Sequence, residues 1–123
     1  MTATLAKALA VNDIPSYCPQ APERAEVDAL PGLTLLQFGT DWCGHCQAAA
    51  PAVAEALRAA PAGSALCHLL LEDGPGRPLG RSFRVKLWPT LILLRDGQEV
   101  ARLVRPTEAA AVAQWFAGAA SAA

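Results

Sequence analysis

Apolar positions along this chain fall into short runs separated by Gly, Pro and charged residues. Residues 33–38 form one run of strand length, bounded by Pro31-Gly32 before it and a turn at residues 39–42 after it. The run reads as a buried strand. An Ala-rich stretch at residues 43–60 has helix length, and Pro51 inside it is expected to remove one backbone bond and kink the helix. Residues 61–63 end that helix, and residues 65–71 read as a second buried strand. Residues 72–78 are a Gly/Pro loop, followed by a short helix at residues 79–85. Residues 90–94 and 99–104 flank Asp96-Gly97. Asp-Gly between apolar runs signals a hairpin, because a type I′ turn needs positive φ at both central residues. Thr107 is the expected N-cap of a last helix that sets Val112, Trp115 and Phe116 on one face.

The first 21 residues are the least regular, punctuated by Pro15 and Pro19, with Pro22 just beyond. They admit a short helix or loose tail at residues 4–11 and an edge strand near residues 14–18, where prolines exclude a central position. A helix at residues 23–30 stops at Pro31-Gly32. The order of elements predicts an α/β fold. Two apolar strands joined through a long helix make a right-handed parallel crossover, the closing hairpin adds antiparallel strands, and helices cover both faces of the mixed sheet. One domain is expected over residues 22–123, preceded by a partly irregular extension at residues 1–21.

Composition narrows the functional classes. Of 123 residues, 53% are hydrophobic and 17% charged, so the core does not depend on disulfides. A net charge of -1 gives no sign of nucleic-acid binding. No stretch approaches the roughly 18–20 apolar residues of a bilayer span. Ala8-Leu9-Ala10 resembles a leader cleavage site, but the apolar run before it is too short. A cytoplasmic protein that avoids membranes is expected, with prior removal of a leader left open. Of four cysteines, Cys43 and Cys46 lie three residues apart, whereas Cys18 and Cys67 are isolated. In a reducing compartment this usage points to a catalytic dithiol.

A Cys-x-x-Cys pair between a buried strand and a helix has a chemical logic. Cys43 would sit where free backbone N–H groups and the positive end of the helix dipole converge, and both favour thiolate. Thiolate is the attacking species in disulfide exchange. Cys46, one turn later, would attack the mixed disulfide and close a Cys43–Cys46 bridge. Trp42 would shield one side. His45, when protonated, would stabilise the reduced form and make the pair a stronger oxidant. The competing readings are a zinc knuckle or two inert core cysteines. Zinc normally takes two further ligands at matching spacing, and Cys18, Cys67, His45 and His68 offer no such pair. No metal and no cofactor is expected beyond the redox-active Cys43–Cys46 disulfide.

At residues 35–46, LLQFGTDWCGHC, the sequence resembles the thioredoxin family. Pro51, Trp88-Pro89-Thr90 and Asp96-Gly97 extend the resemblance over about residues 23–119. The inner pair Gly44-His45 is the one seen in protein disulfide isomerases. The resemblance implies a thioredoxin fold with Pro89 cis and facing the cysteines. It also implies that backbone before Pro89 pairs with a substrate strand. The expected activity is exchange with protein disulfides by a monomer, supplied with electrons by a donor such as a thioredoxin reductase.

Three departures qualify this. Gln37 replaces the family's buried aspartate, and an amide cannot take a proton at neutral pH, so slower resolution or transfer through water, His45 or His68 is expected. Trp88 replaces a smaller residue and is expected to narrow or reshape the groove, or to offer an aromatic platform for an apolar substrate; Thr90, which fits the family, is expected to line the same groove. Arg105 stands about where the family has a groove glycine and adds positive charge. These changes suggest a reductase with a specialised partner. Oxidase or isomerase activity, or a binding or chaperone module, are the alternatives.

Other residues have plainer readings. His68 is read as hydrogen-bonded in or beside a strand, the alternative being the polar position beneath the dithiol. Cys18 is read as a small hydrophobe near an edge strand rather than a third redox thiol, and Cys67 as core. Arg77, Arg81 and Arg84 form a solvated helix face or a docking stripe. Gly74-Pro75-Gly76 is loop, and Trp115 and Phe116 are core anchors.

Overall fold

The computed structural model describes residues 16–60 and 65–122. The expected helix at residues 4–11, the helix stop at 61–63 and the start of the 14–18 strand lie outside these residues. The chain forms α1 (Arg24–Asp28), β1 (Leu33–Gly39), α2 (Gly44–Ala59), β2 (Cys67–Glu72), α3 (Pro78–Ser82), β3 (Thr90–Arg95), β4 (Gln98–Val104) and α4 (Ala109–Ala122). The sheet order is β2-β1-β3-β4. β1 and β2 are parallel, and the other two pairings are antiparallel.

β1 and β3 are central strands, buried on both sides, which is why they read as apolar runs rather than alternating ones. Their side chains nonetheless divide by parity. Leu36, Phe38, Ile92 and Leu94 pack with Val27, Leu79 and Phe83 on one face. Leu35, Leu91 and Leu93 pack with Val53, Ala56, Val112 and Phe116 on the other. Helices therefore cover both faces. α2 buries Cys46, Ala49, Val53 and Ala56 at helical spacing, while Pro51 within it is exposed. The hairpin turn has φ of 51° at Asp96 and 82° at Gly97, as a type I′ turn requires. Asp96 Oδ1 accepts from Gly32 N–H at 2.8 Å, tying the turn to the start of β1.

Several boundaries depart from expectation. α3 stops at Ser82 because Arg84 adopts a left-handed φ of 59°, which no helix continues through. Arg77, Arg81 and Arg84 therefore share no single helix face; they line a shallow cavity with Asp73 and Lys86. Arg77 is paired with Glu72 at 2.9 Å. α4 begins at Ala109, and Glu108 supplies the carbonyl that accepts from Val112 N–H, so Thr107 lies one residue too early to cap. Cys67 is exposed, not core, because it opens β2 at the margin of the sheet. Cys18 is also exposed and makes a single parallel bridge to Leu71 instead of a full strand. Its backbone bonds Leu70 O at 2.8 Å and Glu72 N at 2.9 Å, which holds residues 17–18 along the edge of β2. Phe116 is buried and Trp115 half-buried.

Candidate functional site

The carboxyl end of β1 runs through a turn into α2, and the dithiol sits at that junction. Cys43 is the N-cap of α2, with extended backbone (φ -79°, ψ 125°). Its sulfur accepts from the Cys46 backbone N–H at 3.4 Å, taking one of the donors a helix start leaves free. Sulfur thus stands where an N-cap oxygen usually does. Both cysteines are free thiols. Cys43 is half-buried and Cys46 is 1% exposed. Gly44 and His45 between them face solvent.

The open side of the site carries aromatic and charged groups. Trp42 is 74% exposed and meets Trp88 edge-on, ring centroids 5.8 Å apart. Trp88 is fixed by its indole N–H, which donates to Asp73 Oδ2 at 2.9 Å. The Trp88–Pro89 peptide is cis, and Pro89 is buried. Thr90 is buried too, its hydroxyl donating to Leu87 O. Arg105 has a positive φ of 53°, and its Nε donates to the Trp88 carbonyl at 2.9 Å. The side chain of Arg105 therefore occupies the backbone acceptor just before Pro89.

The underside is closed and polar. Gln37 in β1 is 1% exposed. Its Nε2 donates to the Tyr17 hydroxyl at 3.0 Å, and its Oε1 lies 2.8 Å from His68 Nε2. His68 is paired across the sheet with Leu35, one strand over from Gln37. Burial pulls the His68 pKa down to about 4, so the ring is neutral at pH 7 and donates as its Nε2–H tautomer. The Tyr17 hydroxyl and the Cys46 sulfur crowd the same side of Gly39, about 2.9 and 2.5 Å from where a Cβ there would stand. Burial raises the Cys46 thiol to about 11, helped by its contact with Cys43, while the Thr40 backbone and the Tyr17 hydroxyl pull it back. Tyr17 is pushed well above the usual phenol range, first by burial and then by the Cys46 sulfur. Tyr17 is itself anchored to the active-site turn, its backbone N–H donating to Asp41 Oδ1 at 2.9 Å.

Direct contacts thus link Cys43 with Cys46, Trp88 with Trp42 and Arg105, and Gln37 with His68, the last two through Tyr17 to the Cys46 side, while Pro89 joins them only as the chain neighbour of Trp88. His45 is at the site but bonds to none of these groups. Sequence reasoning did not single out Tyr17, Asp41 or Asp73. Tyr17 is the chain's one tyrosine, but it lies within the segment read as an extension, far from the motif. An edge strand near residues 14–18 is expected from the sequence, but its pairing of Cys18 with Leu71, on which the role of Tyr17 depends, is announced by no local pattern. The arrangement can expose one sulfur to an incoming disulfide and hold a second, protonated sulfur beneath it. Among the described residues no cluster of three or more His, Cys, Asp or Glu is placed to hold a metal, and no helix is long and apolar enough to cross a membrane.

A family model described as thioredoxin matches residues 19–118. Protein disulfide-isomerase A2 of Pongo abelii is 39% identical over 85 residues, which cover 67% of this chain but only 16% of that much longer protein. Thioredoxin of Chlamydia caviae is 37% identical over 73 residues, 59% of this chain and 69% of its own length. Among solved structures, thioredoxin 2 from Pseudomonas aeruginosa PAO1 in its reduced form superposes with a TM-score of 0.77 at 53% identity, covering 89% of this chain and 98% of that one. Trxlp from Edwardsiella tarda EIB202 gives 0.66 at 28% identity over 78% and 93%.

Proposed function

This chain belongs to the thioredoxin family, and from that premise we propose that it reduces protein disulfides through Cys43 and Cys46, serving a specialised partner. The observation that carries this reading is the placement of the two sulfurs: Cys43 accessible at the N-cap of α2, Cys46 buried one turn away. The Cys43 thiolate attacks one sulfur of the substrate disulfide, and the other departs with the electron pair and takes a proton from solvent. A mixed disulfide to Cys43 results. Cys46 then loses its proton and attacks the Cys43 sulfur. The second substrate thiol leaves and a Cys43–Cys46 bridge remains, two electrons having passed to the substrate. A thioredoxin reductase or similar donor restores the dithiol. Trp42, Trp88, Thr90 and Arg105 line the approach; Gly44 and His45 tune the pair; Gln37 and Pro89 support it from below and beside. The protein works as a cytoplasmic monomer without metal or cofactor, its domain at residues 22–123 completed by Tyr17 and Cys18 from the preceding segment.

Insulin reduction by the wild-type protein, lost in Cys43→Ser, tests the reading; no turnover of any disulfide by wild type would end it. A second reading, oxidase or isomerase, is favoured by Gly44-His45 and by the match to protein disulfide-isomerase A2. The reduction potential separates the two. A value near about -270 mV marks a reductant, and one well above about -200 mV an oxidant or isomerase.

A further inference from the structure

Cys46 has two duties that ask opposite things of its surroundings. At rest it is a buried thiol; during resolution the same sulfur, only 1% exposed, must carry negative charge with little help from water. Burial alone disfavours that charge, and the family's carboxylate is absent, Gln37 standing in its place. Something else must meet the sulfur as it ionises.

The hydrogen bonds beneath the dithiol all run one way. His68 Nε2–H donates to Gln37 Oε1 at 2.8 Å, and Gln37 Nε2 donates to the Tyr17 oxygen at 3.0 Å. Having accepted one hydrogen, the Tyr17 hydroxyl keeps its own proton free, and the Cys46 sulfur stands against it. A phenol held above its usual range gives a hydrogen bond without giving up the proton. We propose that Tyr17 is a further catalytic residue, its hydroxyl donating to the Cys46 sulfur as that sulfur ionises and attacks Cys43, with Gln37 and His68 as positioning residues that aim it. The Cys46 proton passes to solvent water. The sulfur's electron pair forms the bond to Cys43 while the mixed disulfide breaks, and the substrate sulfur departs with its pair and takes a proton from solvent. Tyr17 keeps its own proton throughout, and none passes along the Gln37 amide.

This deepens the dithiol reading above, and the test keeps the two apart. In a Cys43→Ser background carrying 13C-labelled cysteine, the titration of Cys46 is followed by NMR with no substrate present. Tyr17→Phe, which keeps the ring, raises the Cys46 midpoint by about one unit, the tenfold effect of one hydrogen bond to a charged sulfur. With Cys43 intact, stopped-flow mixing with a labelled disulfide shows resolution about tenfold slower and the first attack unchanged within about twofold. Gln37→Leu, which leaves the hydroxyl in place but unaimed, gives a smaller shift of the same sign. An unmoved midpoint in Tyr17→Phe overturns the inference. So does equal slowing of both steps, which would mark a packing defect. If wild type turned over no disulfide, the functional reading would fall, while the titration would still decide the role of Tyr17.

Discussion

Cys43 and Cys46 are separated by two residues, yet they face two differently built regions. Above Cys43 the surface is open. Trp42 projects into solvent, His45 is exposed, and Trp88 and Arg105 hold each other beside the approach. Below Cys46 the polar side chains bond one another away from the open surface, from His68 through Gln37 to Tyr17. The open region is assembled by residues near the motif and the cis-proline loop. The closed region is assembled across two strands, the first turn of a helix and an edge segment. One helical turn therefore divides a surface suited to admitting a partner from an interior suited to governing a single proton.

Removing one sulfur at a time breaks this division most sharply. Cys43→Ser is expected to cut insulin reduction about a thousandfold or more, since it deletes the nucleophile. Cys46→Ser should leave the first attack intact and stop the second, so that a covalent adduct with substrate persists in non-reducing mass spectrometry. If both variants behaved alike, with no adduct from either, the two sulfurs would not hold separate roles.

The next largest effect belongs to the closed side alone. The His68 pKa is near 4 in the folded chain against an ordinary 6.5, with burial as the cause. Between those values the unfolded chain binds the extra proton and the folded one does not, so stability falls as pH drops from 6.5 toward 4 and levels off below. The loss amounts to at most about 3 kcal/mol. Urea denaturation at pH 7 and pH 4.5 measures it. His68→Asn should flatten the slope between these values.

The two regions also differ in how far the sequence revealed them. Strands β1 and β3, the hairpin turn and the long helix follow from local signals: unbroken apolar runs, Asp96-Gly97, and an Ala-rich stretch after a buried strand. The dithiol, Trp42 and the Trp88-Pro89 segment are legible for the same reason, each being a short motif. Cys67 misled because an apolar run states that a strand is buried on average, not that it lies at the sheet edge with its first residue uncovered. α3 was overdrawn because apolar periodicity does not register the left-handed Arg84 that ends it. Tyr17 was hidden because its place beneath Cys46 is fixed by register: Cys18 bridging Leu71, and Asp41 holding the backbone. Gln37 was visible as a departure, but its partners were not.

Gly39 lies on the boundary between the regions and offers a sharper cut. A Cβ there would stand 2.5 Å from the Cys46 sulfur and 2.9 Å from the Tyr17 ring and hydroxyl. Gly39→Ala is therefore expected to destabilise the fold by about 1–3 kcal/mol through overpacking. It should also drive Tyr17 away from Cys46, raising the Cys46 midpoint as Tyr17→Phe does. Thermal unfolding and the NMR titration measure the two effects separately. Neutral stability in Gly39→Ala would show that the closed region yields more easily than its contacts suggest.

The smallest effect is expected on the open side, at Asp73. Its carboxylate accepts from the Trp88 indole at 2.9 Å, and its backbone N–H donates to Gly39 O at 2.9 Å. Asp73→Ala keeps the second bond and deletes the first. Trp88 is only half-buried, so water can replace the lost acceptor, and the cost should stay near about 1 kcal/mol. Freed of that tether, Trp88 loses its fixed edge-on contact with Trp42, which tryptophan fluorescence will register. A loosened aromatic pair presents a less defined surface to a partner, so KM for a protein disulfide should rise by about two- to fivefold. The rate of resolution and the Cys46 midpoint should not move, because nothing in the His68–Gln37–Tyr17 chain touches Asp73. A shift in that midpoint would mean the two regions communicate through β1 at Gly39, and the boundary drawn at the helix turn would be wrong.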